Sequence, residues 1–162
     1  MFVFMRKIRR ISAWTDQWAD GTLALSEVFD TWVQKGGRLT VWKCSNAVDE
    51  DAIVAIAAGI TSARERQVHF RVSPDWLTRH GHTPVHSPDR TPPSHSRAAE
   101  LHHDICGLNE SSCRLLCAHL RADFDTIHVH FPKSEVRSRV RRQLPNFLDQ
   151  AVKSRLEAEV AL

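Results

Sequence analysis

The alternation of apolar and polar side chains along the chain predicts three β-strands. Residues 67–72 alternate strictly, as a strand with one buried face does. Residues 38–44 and 126–131 show the same period of two. We therefore expect these three segments to pair in one sheet.

Between the strands, apolar residues recur at steps of three and four, which is typical of helices with one buried face. Asn46 or Ser45 can cap one such helix, and Ser73 followed by Pro74 opens another. Gly81 ends the helix that Ser73 opens. The predicted helices are residues 22–35, 52–63, a short segment between Ser73 and Gly81, residues 97–105 and 110–121, a segment from Pro132 to Pro145, and residues 147–160.

This order of elements predicts an α/β fold. Strands that are separated by helices favour parallel pairing, because parallel neighbours need crossover connections. We expect a small, mainly parallel sheet of three to four strands, with helices on both faces and a mostly helical C-terminal part. The prediction is a single domain over residues 1–162, with a basic N-terminal arm at residues 1–12 and an exposed loop rich in Pro, His and Ser at residues 82–96.

Composition is that of a globular protein, and the charge is nearly balanced. The 162 residues are 42% hydrophobic, and 22 Lys and Arg face 19 Asp and Glu for a net charge of +3. These values exclude a disordered or collagen-like chain. No apolar run approaches the roughly 18 residues of a membrane-spanning helix, and the N-terminal residues lack the order of a secretory signal. Four cysteines suit reduced thiols, so we expect a cytoplasmic protein with no membrane partner. Both Met1 and Met5 suit a native start.

Basic residues cluster near the N-terminus and in the helix after Pro132. Such a surface can follow a phosphate backbone. The leading functional prediction is a binding domain for a partner protein or nucleic acid, with a structural subunit of a larger assembly as an alternative. The other interpretation of the cluster is a solvated helix whose arginines pair with acidic residues. The predicted nucleic-acid contacts are Arg9, Arg10, Lys133, Arg137, Arg139, Arg141 and Arg142.

The ten histidines suggest a competing, enzymatic function. His128 and His130 alternate on one strand and therefore share a face, so both imidazoles can point at a single metal ion. The set of ligands can be completed by His69, His102, His103 or Asp104. This arrangement predicts a metal-dependent hydrolase or nuclease with zinc or manganese, and no other cofactor is predicted.

Residues 101–105 read Leu-His-His-Asp-Ile. This stretch resembles the histidine–aspartate signature of the HD phosphohydrolases, in which adjacent His and Asp side chains bind a metal that activates water for phosphoester cleavage. The resemblance implies a helical domain with one more upstream histidine and a downstream aspartate. The nearest candidates are His80 and Asp123.

Two further arrangements involve the same region. The stretch is also similar to an HNH nuclease, which implies His103 as the general base, Asn109 in the middle and His119 as a metal ligand. Alternatively, a zinc set can be written with three cysteines and one histidine, although buried cysteines on a helix stripe pack as small apolar residues. That set is Cys106, Cys113, Cys117 and His119.

Overall fold

The computed structural model describes residues 2–7, 38–90, 94–122 and 127–161. Six strands of this part of the chain form one sheet: β1 (Val3–Lys7), β2 (Leu39–Cys44), β3 (Gln67–Val72), β4 (Pro84–His86), β5 (His102–Ile105) and β6 (His128–Phe131). The helices are α1 (Ala47–Ile60), α2 (Pro74–Arg79), α3 (Ala98–Leu101), α4 (Glu110–Ala122), α5 (Lys133–Gln143) and α6 (Gln150–Ala161). Short 3-10 turns cover Pro88–Arg90 and Leu144–Asn146.

The prediction of a small, mainly parallel sheet of three to four strands is wrong. The six strands lie in the order β4-β5-β2-β1-β3-β6, and every neighbouring pair is antiparallel. β2 and β3, which α1 connects, do run in the same direction. They cannot pair with each other because β1 lies between them and bonds to both. The helical crossover is therefore present, but the strands that it joins are not neighbours.

The sequence pattern did identify β2, β3 and β6, within two residues at their ends. The predicted N-caps are also confirmed: Asn46 accepts hydrogen bonds from the amides of Val48 and Asp49, and Ser73 accepts one from Trp76. The helix predicted at residues 97–105 is half wrong, because it is helical only in α3 and continues as β5. The helix predicted at residues 22–35 lies outside the described residues.

Strands β1 and β4 lie in segments for which the sequence predicts a basic arm and an exposed loop. Residues 3–7 belong to the predicted basic arm, yet they form a central strand of the sheet. Residues 84–86 belong to the predicted exposed loop, yet they pair with β5 at one edge. A turn at Gly81 precedes β4. Gly81 has a φ of 77°, a backbone angle that residues with a side chain disfavour.

Each face of the sheet carries its own hydrophobic layer. On one face, Phe4, Val41 and Phe70 pack with apolar side chains of α2 and α4. On the other face, Met5 and Phe131 pack with α1, α3, α5 and α6. β1 contributes to both layers because its successive side chains alternate between the faces. The central strand is therefore buried on both sides, which is why its short sequence lacks a clean apolar alternation.

A network of ion pairs joins α5 to the N-terminal part of α1. The Arg139 guanidinium lies 3.0 Å from the Glu50 carboxylate, 2.6 Å from Asp51 and 2.7 Å from Glu135 of its own helix. Arg142 adds a contact of 2.9 Å to Asp51. Because the Arg139 side chain is only 14% exposed, its contacts with Glu50 and Asp51 are largely shielded from water.

We expect Arg139→Met to lower the free energy of unfolding by about 2 kcal/mol, because it leaves two half-buried carboxylates each with one cation fewer. Arg142→Gln is the matched control, because Arg142 lies on the same helix and contacts the same Asp51 carboxylate. Its side chain is 54% exposed, so the expected loss is under about 1 kcal/mol. Urea-induced unfolding measures both values, and equal losses for the two variants would contradict the ranking.

Candidate functional site

The structure does not bring the predicted metal ligands together. His128 and His130 lie on one face of β6, whereas the register between β3 and β6 places His69 on the opposite face. His103 and Asp104 are consecutive in β5 and point to opposite faces. β5 and β6 are also four strand positions apart, a distance of about 19 Å. Among the described residues, no group of three or more His, Cys, Asp or Glu side chains could hold a metal ion.

His69 is a core histidine. Its Nε2 hydrogen-bonds the Gln67 side-chain oxygen at 2.8 Å, and the Gln67 amide donates to the carbonyl of Val54 at 3.2 Å. The imidazole also contacts the Phe131 ring edge-on, with 5.4 Å between the centroids. Burial, with smaller contributions from nearby cations, lowers the pKa of His69 to about 3. The ring is therefore neutral at physiological pH. Through Gln67 it connects β3 to the carbonyl of Val54 in α1.

Several of the predicted nucleic-acid contacts bond to other residues of the protein. Arg9 and Arg10 lie outside the described residues. On α5, Arg139 and Arg142 pair with the acidic residues of α1, and Arg141 donates to the carbonyl of Val160 at 2.6 Å. Lys133 is exposed and Arg137 half-buried. Much of the positive charge of this helix is thus compensated by the fold.

A different set of side chains converges at one end of the sheet. Here a cavity of about 330 Å³ opens where β2 ends, α1 begins and β4 meets β5. That volume is at the lower end of the range for small-molecule sites. The cavity is lined by Lys43, Ser45, Asp49, His86, Glu100, Leu101 and His103. Of these residues, only His103 belongs to the set predicted from the sequence.

The two histidines of the cavity are held in defined tautomers. His103 donates from Nδ1 to the carbonyl of Leu101 at 3.1 Å, and His86 donates from Nε2 to the carbonyl of Ala99 at 2.9 Å. A carbonyl oxygen can only accept, so the donating nitrogen carries the proton in each neutral ring. The lone pairs therefore sit on Nε2 of His103 and on Nδ1 of His86. The ring centroids are 5.1 Å apart, which is close enough for both imidazoles to contact one small ligand.

The surroundings of His103 favour its neutral form. Its ring is half-buried and packs against Phe4, with 5.3 Å between the centroids. Burial is the main cause that lowers the pKa of His103, the hydrogen bond to Leu101 opposes the shift, and the nearby His86 and Lys43 lower the pKa further. At neutral pH, His103 therefore offers an unprotonated nitrogen beside a cationic side chain.

Arg97 compensates the two carboxylates that line the cavity. Its guanidinium lies 2.8 Å from Asp49 and 3.1 Å from Glu100. The second oxygen of Asp49 accepts the backbone amide of Ser45 at 2.8 Å. Lys43 makes no ion pair with the described residues, and its ammonium lies 4.8 Å from the centre of the Phe2 ring. The cavity thus combines an uncompensated cation with two imidazoles.

Sequence reasoning missed most of this site because no local motif contains it. Lys43 looks like one polar position of a buried strand, and His86 lies in the segment that we interpreted as an exposed loop. The two residues meet His103 only because β5 pairs with β2 on one side and β4 on the other. The register pairs His86 directly with His103. The signal is therefore a property of strand order, which a single sequence does not reveal.

The comparisons with known proteins return no match. No protein-family model matches the chain, no curated protein does, and no solved structure does. Within the described ranges, no helix is long and apolar enough to cross a membrane.

A second buried histidine resembles His69 in its electrostatics. His95 is 2% exposed, accepts the amide of Arg97 at Nδ1 (3.2 Å) and packs edge-on against Phe147. Burial is the main cause that lowers its pKa, Gln143 opposes the shift, Arg97 adds to it, and the resulting pKa is about 4. Both buried rings are neutral in the folded protein.

We expect the free energy of unfolding to fall as the pH drops from about 6.5 towards 4. The unfolded chain takes up protons on these two histidines at an ordinary pKa of 6.5, whereas the folded chain does not until about 3 and 4. Their stabilising contribution is therefore complete above pH 6.5 and decreases below it, by up to about 1.4 kcal/mol per pH unit for each ring.

The variant His95→Gln isolates one of these contributions. Its slope of unfolding free energy against pH, measured by urea titrations between pH 4.5 and 6.5, should be smaller than that of the wild type by up to about 1.4 kcal/mol per pH unit. Lys133→Gln, an exposed change on α5, should leave the slope as it is. An unchanged slope in His95→Gln would show that His95 already binds its proton in the folded state.

Proposed function

We propose that the protein binds a small phosphate-bearing ligand in the cavity between β2, β4 and β5. The observation that carries this proposal is the convergence of Lys43, His86 and His103 on one cavity while Arg97 compensates the acidic residues there. An ammonium and two imidazoles are suitable partners for a phosphate group, because charge-assisted hydrogen bonds are the stronger ones. Histidine also lets the binding respond to pH.

Ligand binding should be coupled to proton uptake. In a neutral imidazole, the nitrogen that does not donate to a carbonyl can only accept a hydrogen bond, whereas a phosphate dianion needs donors. A proton taken from solvent or from the ligand converts a lone-pair nitrogen into such a donor, and the negative charge of the ligand favours that protonated form. The site therefore suits an anion that binds more tightly at lower pH.

The basic helix α5 is the alternative binding surface for a partner protein or nucleic acid. Its exposed Lys133 supports that alternative, but the bonds of Arg139, Arg141 and Arg142 within the chain weaken it. The cavity has a defined shape and fixed tautomers, so we favour it. A cytoplasmic location agrees with the free thiols of Cys44 and Cys106.

The test is calorimetric titration of the protein with inorganic phosphate and with a nucleoside monophosphate. Lys43→Gln should weaken binding about tenfold to a hundredfold, since charge-assisted hydrogen bonds contribute about 1.5–3 kcal/mol. Lys133→Gln on α5 is the matched control and should bind like the wild type. The affinity should also fall as the pH rises from 6 to 8.

Imidazole resonances locate the ligand independently. Phosphate should shift the ring signals of His86 and His103 and leave that of the core residue His69 in place. Binding that Lys43→Gln does not weaken, or that moves neither cavity histidine, would remove the proposal.

A further inference from the structure

We infer that the ligand of the cavity is RNA, and that the protein cleaves it through attack of a ribose 2′-hydroxyl on the adjacent phosphodiester. His103 is the general base and His86 the general acid. The inference rests on the proposed phosphate site and adds the class of substrate and the reaction. It requires no reactant besides the RNA chain and solvent protons.

His103 has the form that a general base needs. Its Nδ1 proton is held by the carbonyl of Leu101, which leaves the lone pair on Nε2, and its ring is the more buried of the two. Lys43 lies close enough to disfavour a positive charge on this ring. His103 lines the cavity, and its Nε2 is available to accept a proton from a hydroxyl group.

His86 has the form that a general acid needs. Its ring is exposed to solvent, and its Nε2 donates to the carbonyl of Ala99. The proton that the proposed reaction gives to the leaving oxygen therefore comes from Nδ1. With 5.1 Å between the two centroids, one phosphate group can be contacted by both rings. This arrangement provides a base and an acid for the two oxygens that exchange at phosphorus.

In the proposed reaction, His103 accepts one proton and His86 donates one. The 2′-oxygen forms a bond to phosphorus while its proton moves to Nε2 of His103. The bond between phosphorus and the 5′-oxygen breaks, and that oxygen takes the proton from Nδ1 of His86. The products are a 2′,3′-cyclic phosphate and a free 5′-hydroxyl. Proton exchange with solvent then restores both rings.

Lys43 completes the fit to RNA. Its ammonium can stabilise the negative charge that develops on the phosphate oxygens in the transition state. The half-buried Phe2 ring lies beneath this ammonium, with 4.8 Å between the ammonium and the ring centroid. This contact helps to position Lys43 at the cavity.

The substrate supplies the nucleophile that the two imidazoles would activate. An attacking hydroxyl fixed beside its target reaches a high effective molarity, so acid, base and cation are sufficient for the rest of the reaction. DNA lacks this hydroxyl. The protein should therefore cleave RNA and leave DNA intact.

The experiment follows cleavage of a fluorescent single-stranded RNA of mixed sequence in the presence of EDTA. The wild-type protein should yield fragments that end in 2′,3′-cyclic phosphate. An oligonucleotide of DNA with one ribonucleotide should be cut only after that ribose, and the all-DNA form should stay intact. These arms use the wild-type protein, so they do not depend on how a variant folds.

The variants His86→Gln and His103→Gln should each reduce the cleavage rate by about a hundredfold or more. His130→Gln, an exposed histidine of β6, is the matched control and should cleave like the wild type after the same purification. The rate should show a bell-shaped dependence on pH, because one ring must be neutral and the other protonated. Thermal unfolding of each variant verifies that it is folded.

Cleavage of the all-DNA strand, loss of activity in EDTA, or equal activity of His86→Gln and the wild type overturns the inference. Intact RNA also overturns it. If phosphate still binds in the calorimetric titration while RNA remains intact, only the reaction has failed. If phosphate does not bind, the proposed function has failed as well.

Discussion

The position of β1 between β2 and β3 is the constraint on which the rest of the fold depends. Five residues, Val3–Lys7, supply hydrogen bonds to both neighbours and side chains to both hydrophobic layers. Without this strand, β2 and β3 would be parallel edges with unpaired amides and carbonyls, and buried unpaired groups are costly. The positions of the strands on both sides of β1, including β2, β5 and β4, therefore depend on β1.

The cavity is a consequence of that strand order. β5 adds to the free side of β2 and brings His103 across from Val41, two positions before Lys43. β4 then adds to β5 and brings His86 opposite His103. Backbone hydrogen bonds of the ladder fix these positions, so the functional groups stand on rigid elements. The short α3 supplies the carbonyls of Ala99 and Leu101 that orient the two imidazoles.

A structural feature can be predicted from the sequence when the residues that determine it lie close together in the chain. β2, β3 and β6 each have an apolar face that shows as an alternation in the sequence. The N-caps Asn46 and Ser73 bond to amides within three residues. Both kinds of feature can therefore be predicted from the sequence. β5 has the sequence His-His-Asp-Ile, without an apolar alternation, and becomes a strand only through its partners on both sides. The same limit applies to the site, because histidines that share a strand face in the sequence need not share a site in the fold.

Charge compensation explains why the cavity and the basic helix differ as binding surfaces. On α5, Arg139 meets three carboxylates, so an incoming anion would have to displace bonds that the protein already makes. At the cavity, one guanidinium, that of Arg97, serves both Asp49 and Glu100 and leaves Lys43 without a carboxylate partner in the described lining. Binding an anion at Lys43 breaks no existing ion pair. The electrostatic cost of binding is therefore lower at the cavity, even though α5 carries the greater number of positive charges.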